Sequence, residues 1–153
     1  MKILNTIPAK ALITLLALVI TTINASADQL AALVKDSPVI VAVGILELTP
    51  GASISDSSME FEVRAKIGYV AKGDIKPNSE IKVKIRLPIK DYLLLNNNPF
   101  GMKKGEDYVM FLRPQFAADR ETFIHYSFSE IPLGCLAYNL YTWERVKREI
   151  KES

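Results

Sequence analysis

Two stretches of strict alternation constrain this chain more than anything else in it. In Glu60 to Val70, Phe61, Val63, Ala65, Ile67 and Tyr69 alternate with Glu62, Arg64 and Lys66, and in Glu80 to Leu87, Ile81, Val83, Ile85 and Leu87 alternate with Lys82, Lys84 and Arg86. A period of two sends successive side chains to opposite faces of a strand, so each segment buries one face and wets the other. Between them, Lys72-Gly73-Asp74 and Pro77-Asn78 supply turn chemistry, with Gly73 free to take a positive φ.

The remaining segments fit a mostly β chain. Pro38 to Leu48 is rich in β-branched residues and reads as a largely buried first strand, followed by a Pro, Gly and Ser-rich loop from Thr49 to Ser58. Asp107 to Arg113 carries Tyr108-Val109-Met110-Phe111-Leu112, a near-continuous apolar run that predicts a strand buried on both faces. Pro114 to Arg120 then reads as a loop and Glu121 to Phe128 as a fifth strand. Asp28 to Lys35, with Leu30, Ala31 and Val34 on one side, predicts one or two helical turns ending before Pro38. A closing helix has Thr142 as its expected cap and Trp143, Val146 and Ile150 as its apolar stripe. Glu144 with Arg148, and Arg145 with Glu149, stand four residues apart on it. The segment Tyr92 to Phe100 reads either as a helical turn plugging one end of a barrel or as a loop offering apolar side chains to a partner.

Compartment follows from the first 27 residues. Lys2 and Lys10 give positive charge, Ala11 to Ile23 is almost unbroken apolar sequence, and Ala25-Ser26-Ala27 is a small-x-small cleavage pattern. Residues 1–27 are therefore expected to be a signal peptide and 28–153 a single domain, periplasmic or secreted, without a permanent membrane anchor. Thr14, Thr21, Thr22, Asn24 and Ser26 dilute the run too much for a good spanning helix.

Of 19 Lys+Arg and 17 Asp+Glu, Lys2 and Lys10 leave with the signal, so the mature part is formally neutral. No broad basic field for nucleic acid is indicated. Cys135 is the only cysteine, so no internal disulfide can form and the domain holds together by packing. Its ordinary reading is a small buried residue just before the last helix. The alternative is a reactive thiol or an intermolecular disulfide, without the CxxC or cationic setting that activates a thiol.

Five strands with a terminal helix predict an OB-like barrel. Val39-Ile40-Val41-Ala42-Val43-Gly44-Ile45, then Tyr69-Val70-Ala71-Lys72-Gly73, then Lys103-Lys104-Gly105-Glu106-Asp107-Tyr108-Val109-Met110-Phe111-Leu112 resemble netrin-like domains, the OB-fold modules of tissue inhibitors of metalloproteinases and their bacterial secreted look-alikes. The resemblance implies a five-stranded netrin-like closed barrel with a C-terminal α-helix. The animal inhibitors chelate a target zinc through an N-terminal cysteine, whereas the mature N-terminus expected here is Asp28. That mechanism carries over to no residue.

Catalytic inventory is thin. His125 is the only histidine, on a predicted strand with no nucleophile motif nearby, and no phosphate loop, HExxH or CxxC occurs. No catalytic residue, metal ligand or cofactor is assigned. A non-catalytic binding module acting on another protein is the expected function. The alternative is a small secreted hydrolase or metal-dependent enzyme using surface carboxylates such as Glu60 with Glu62 or Glu106 with Asp107. If the two alternating strands pair, Arg64, Lys66, Lys82, Lys84 and Arg86 form a basic ribbon that could take an anionic envelope ligand, though no exposed aromatic residues interleave with it. The processing expectation is directly measurable: intact mass of the exported protein should match a chain starting at Asp28, and full-length protein in washed membranes would refute it.

Overall fold

The computed structural model describes residues 28–49, 53–55, 58–88, 101–129 and 134–153. It is mostly β. A helix over residues 28–36 (α1) leads into β1 (Val39–Thr49), β2 (Ser53–Ser55), β3 (Ser58–Lys72), β4 (Glu80–Pro88), β5 (Asp107–Phe116), β6 (Phe123–Phe128), β7 (Cys135–Ala137) and a closing helix, α2 (Leu140–Glu152). Five strands join in a ring in the order β1-β3-β4-β6-β5, with β5 pairing back to β1. Four junctions are antiparallel. The fifth, β4 to β6, is parallel and is held at a single registered pair, Val83 with Tyr126.

The alternation read from β3 and β4 explains the interior. Phe61, Val63, Ala65 and Ile67 meet Ile81, Val83 and Ile85, together with Val39, Val41, Val43 and Ile45 from β1 and Tyr108, Met110 and Leu112 from β5. These residues fill the inside of the ring. A second core lies outside it, where Ile40 and Ala42 of β1 and Val109 and Phe111 of β5 are covered by Leu30, Leu33 and Val34 of α1 and Trp143 and Val146 of α2. Tyr108 to Leu112 are all buried, as a strand packed on both faces requires.

Register explains one departure from the simple alternation. Ile67 pairs with Val43 but Tyr69 pairs with Ala42, so Gly68 is an extra residue in β3. Such a bulge moves every later side chain to the other face. Tyr69, expected inside, therefore stands on the outer face with 60% of its surface exposed. Leu46 in β1 and Ala71 in β3 are extra residues of the same kind.

Other boundaries also differ from expectation. β2 falls inside the expected 49–58 loop, and β5 runs on through Pro114 to Phe116, where Pro114 pairs with Tyr126. The fifth ring strand begins at Phe123 instead of Glu121. Cys135 sits in β7, opposite Met110, and is half-buried. Tyr92 to Phe100 lies outside the described residues. Gly73 does take φ +101°, and a side chain there would strike Val39.

The helices are fixed at their ends. Ser37 is buried and donates its hydroxyl to the Leu33 carbonyl at 2.6 Å, and Lys72 Nζ donates to the Val34 carbonyl at 2.8 Å, placing a cation on the C-terminal end of α1. α2 is capped by Asn139, whose Oδ1 accepts from the Thr142 N–H at 2.8 Å, so the expected cap Thr142 is a recipient inside the first turn. Its ion pair joins Glu144 to Lys147, not to Arg148. Trp143 and Val146 are buried as the stripe requires, with Ile150 partly so. Trp143→Ala should therefore lower unfolding stability by about 3–5 kcal/mol, measured by chemical denaturation, whereas Lys151→Ala should change it by about 0.5 kcal/mol or less. Equal effects would show that the docking of α2 contributes nothing.

Candidate functional site

The ribbon strands pair as expected, yet their cations do not stand alone. Arg64 faces Lys82 across the β3–β4 junction, and Glu62 faces Lys84 and Glu60 faces Arg86. Arg64 reaches Glu47 at 3.1 Å and Glu80 at 3.5 Å, Lys82 reaches Glu62 at 3.1 Å, and Glu60 accepts from Lys84 and lies 3.9 Å from Arg86. Four of the five ribbon cations meet four carboxylates, which leaves a nearly neutral ladder instead of a concentrated basic field. Most of these groups are half exposed, so each pair contributes about 0–1 kcal/mol to stability. Among the described residues, Lys66 is the one ribbon cation without an ion pair.

The carboxylate pairs are distributed in the same way. Glu60 and Glu62 are engaged by the ladder. Glu106 accepts from the Tyr108 hydroxyl at 2.9 Å and lies 3.7 Å from Lys103, and the same hydroxyl accepts from the Lys103 N–H at 3.1 Å. Burial, then the bond to Glu106, raises the Tyr108 pKa, so the phenol keeps its proton and fixes the 103–106 turn. No group of three or more His, Cys, Asp or Glu stands together to hold a metal ion among the described residues. None of the described helices is long and apolar enough to cross a membrane.

Two surfaces were not legible as sites. The first is an apolar groove of about 410 Å³ on the outer face of β1 and β3, where the helical cover ends. Its floor is backbone, because Gly44 and Gly68 carry no side chains, and Leu46 borders it. Lys66 and Asp107 flank Gly44, each being its registered partner, one on β3 and the other on β5. Tyr69 and Tyr138 form its aromatic wall, stacked at 6.5 Å and 15°. The signals available in the sequence were the two glycines inside apolar strands.

The second surface is the β5–β6 hairpin. Phe116, Phe123 and Ile124 are exposed at 48%, 47% and 53%. Phe116 and Phe123 meet edge to face at 6.2 Å, and Phe123 lies 4.8 Å from Tyr126. The turn beyond them is stiff. Asp119 Oδ1 accepts from the Glu121 and Thr122 N–H groups at 2.9 Å, and Oδ2 accepts from the Thr122 hydroxyl at 2.6 Å. Those bonds, the Thr122 hydroxyl first, hold the Asp119 carboxyl below its ordinary pKa. The Ala117 N–H donates to the Thr122 carbonyl at 2.8 Å, and Arg120 takes φ +60°.

No protein-family model matches this chain, and no curated protein matches it. The netrin-like resemblance therefore rests on the residues quoted for it.

Cys135 and His125 carry the remaining reactive groups. Burial pushes the Cys135 thiol up to about 12, so little thiolate exists at neutral pH. Among the described residues the His125 Nδ1 is buried without a hydrogen-bond partner, and none of their carboxylates is bonded to it to orient the ring as a base. Burial, then the nearby Lys84 ammonium, lowers the His125 pKa, against a smaller opposite pull from Glu60 and Glu62. The fold therefore favours the neutral ring. That contribution is complete above the ordinary value of 6.5 and is lost as pH falls through the lower folded value. Thermal melting should drop more between about pH 7.5 and about pH 5 in the wild type than in His125→Gln. Parallel curves would show that His125 is not strained by protonation.

Proposed function

We propose that this protein is an exported, non-catalytic binding module with a five-stranded OB-like, netrin-like barrel, acting on another protein in the periplasm or outside the cell. The ring order supports the barrel reading. Strands β1, β3, β4, β6 and β5 follow one another as first, second, third, fifth and fourth, the Greek-key path of a small barrel whose edges are removed by closure. The parallel pair β4–β6 is where such a barrel is most open.

One observation carries the binding reading. Phe116, Phe123 and Ile124 remain about half exposed on a hairpin whose turn is locked by Asp119. Covering the exposed half of each side chain is worth about 1 kcal/mol. Because the turn is already ordered, little of that gain is lost to immobilising it. Aromatic residues so placed are the usual anchors of protein–protein contacts. The mature chain has no net charge excess to draw nucleic acid, and the β3–β4 ladder leaves a charge excess of about one, too little for strong attraction of a polyanion.

Phe116→Ser combined with Phe123→Ser tests the reading. Both residues are exposed, so the variant should keep its β-rich circular dichroism and most of its melting temperature. Affinity for a partner captured and crosslinked by the wild type in the envelope fraction should fall by about tenfold or more. Retention of that partner at wild-type affinity would overturn this surface as the contact.

A further inference from the structure

The groove over Gly44 and Gly68 is independent of the hairpin and has its own chemistry. Arg64 of β3 and Lys82, Lys84 and Arg86 of β4 each meet a carboxylate, and Lys72 at the end of β3 is taken up by the Val34 carbonyl, but Lys66 has no such partner among the described residues. Asp107 likewise forms no ion pair and no side-chain hydrogen bond among the described residues. The two lie on either side of Gly44 in the same cross-strand row, with strand axes about 4.8 Å apart at each step. They do not pair with each other. The gap between them is kept open by the missing side chain at Gly44, where a Cβ would come to 3.1 Å from Asp107 Oδ1.

An unpaired ammonium and an unpaired carboxylate, separated across an apolar floor and bordered by a stacked pair of tyrosines, define what can fill the groove. The complement carries a carboxylate at one end, an ammonium at the other and an apolar body between. We propose that this groove binds a short zwitterionic peptide, a dipeptide or tripeptide with free ends and a bulky apolar side chain. The free carboxylate meets Lys66, the free amino group meets Asp107, and the apolar side chain lies over Gly68 against Tyr69. A volume of about 410 Å³ is in the range of small-ligand sites and too small for a folded partner. Bulges often stand beside binding sites because they re-aim side chains, and here the extra residues Leu46 and Gly68 border the groove on both strands.

The molecule carries its own reporter. Trp143, the only tryptophan, lies 6.2 Å from the Tyr69 ring and 6.1 Å from the Tyr138 ring, so a ligand seated against Tyr69 changes its emission. The probes are free dipeptides carrying leucine, phenylalanine or tyrosine, each compared with its N-acetylated and C-amidated forms by Trp143 fluorescence and calorimetry. At least one free dipeptide should give a saturable response, and blocking either end should weaken it about tenfold, or about 1.4 kcal/mol. Lys66→Ala should abolish the discrimination against the amide, and Asp107→Asn that against the acetylated form. Gly68→Val should block binding while leaving the fold intact, because a Cβ there meets only the Ala42 carbonyl, at an ordinary 3.6 Å. The proposal is overturned if no dipeptide saturates in the millimolar range, if capped and free forms bind alike, or if a folded Gly68→Val protein binds unchanged.

Discussion

Strand β1 is held on both edges, by β3 on one side and β5 on the other, and everything else in the domain is built on that double pairing. Its inward residues, Val41, Val43 and Ile45, belong to the core inside the ring. Its outward residues, Ile40 and Ala42, form part of the floor on which α1 and α2 pack. Without β1 the ring would open between β3 and β5, and the two helices would lose part of the surface they cover. A strand used in this way cannot alternate in polarity, which is why Val39 to Ile45 is apolar throughout. The domain has one cysteine and no internal disulfide, so packing about this strand takes the place that cross-links fill in many small exported domains.

Pairing on both edges also demands curvature. β1 and β3 together insert Leu46, Gly68 and Ala71 as extra residues, and each increases local twist and bend. The same devices decide where the surface opens. After Gly68 the alternation of β3 is inverted, so Tyr69 leaves the interior and stacks on Tyr138 at the margin of the helical layer. Beyond that margin nothing among the described residues covers Gly44, and the groove is the result. The curvature of the five-stranded ring and the concavity on its outer face thus have a common cause.

Elements whose pattern is local were legible in the sequence. The period of two in Glu60 to Ile67 and Glu80 to Ile85, the apolar run of Tyr108 to Leu112 and the stripe of Trp143 and Val146 each identify a buried face without knowledge of the partner. What depends on register was not legible. Tyr69 reads as interior until Gly68 is known to be unpaired, and the basic ribbon, which Glu60 and Glu62 already dilute in the sequence, reads as a charge excess until Glu47 and Glu80 are placed beside it. β7 has three residues, too few for a period, and Asn139 outcompetes Thr142 as the cap because Asn139 itself is still extended, at φ −151° and ψ 164°, while Thr142 already lies inside the helix. Of the groove's charged residues, Asp107 was named in advance only as a carboxylate beside Glu106, and Lys66 for a ribbon in which it turned out to be the member without a carboxylate.

The two surfaces with unmet chemistry lie at opposite ends of one strand. Asp107 opens β5 beside the groove and Phe116 closes it at the hairpin, about 30 Å apart at roughly 3.4 Å per residue. Between them Tyr108 to Leu112 are wholly buried, packed inward on the main core and outward on the helices. Close-packed interiors do not deform gradually, so a ligand over Gly44 has no soft element through which to reach the hairpin. The proposed recognition of a small zwitterion and that of a protein surface would therefore be separate and simultaneous, each drawing on rigidity that the same strand provides. Coupling between them would require a second arrangement of β5, and its burial on both faces opposes one.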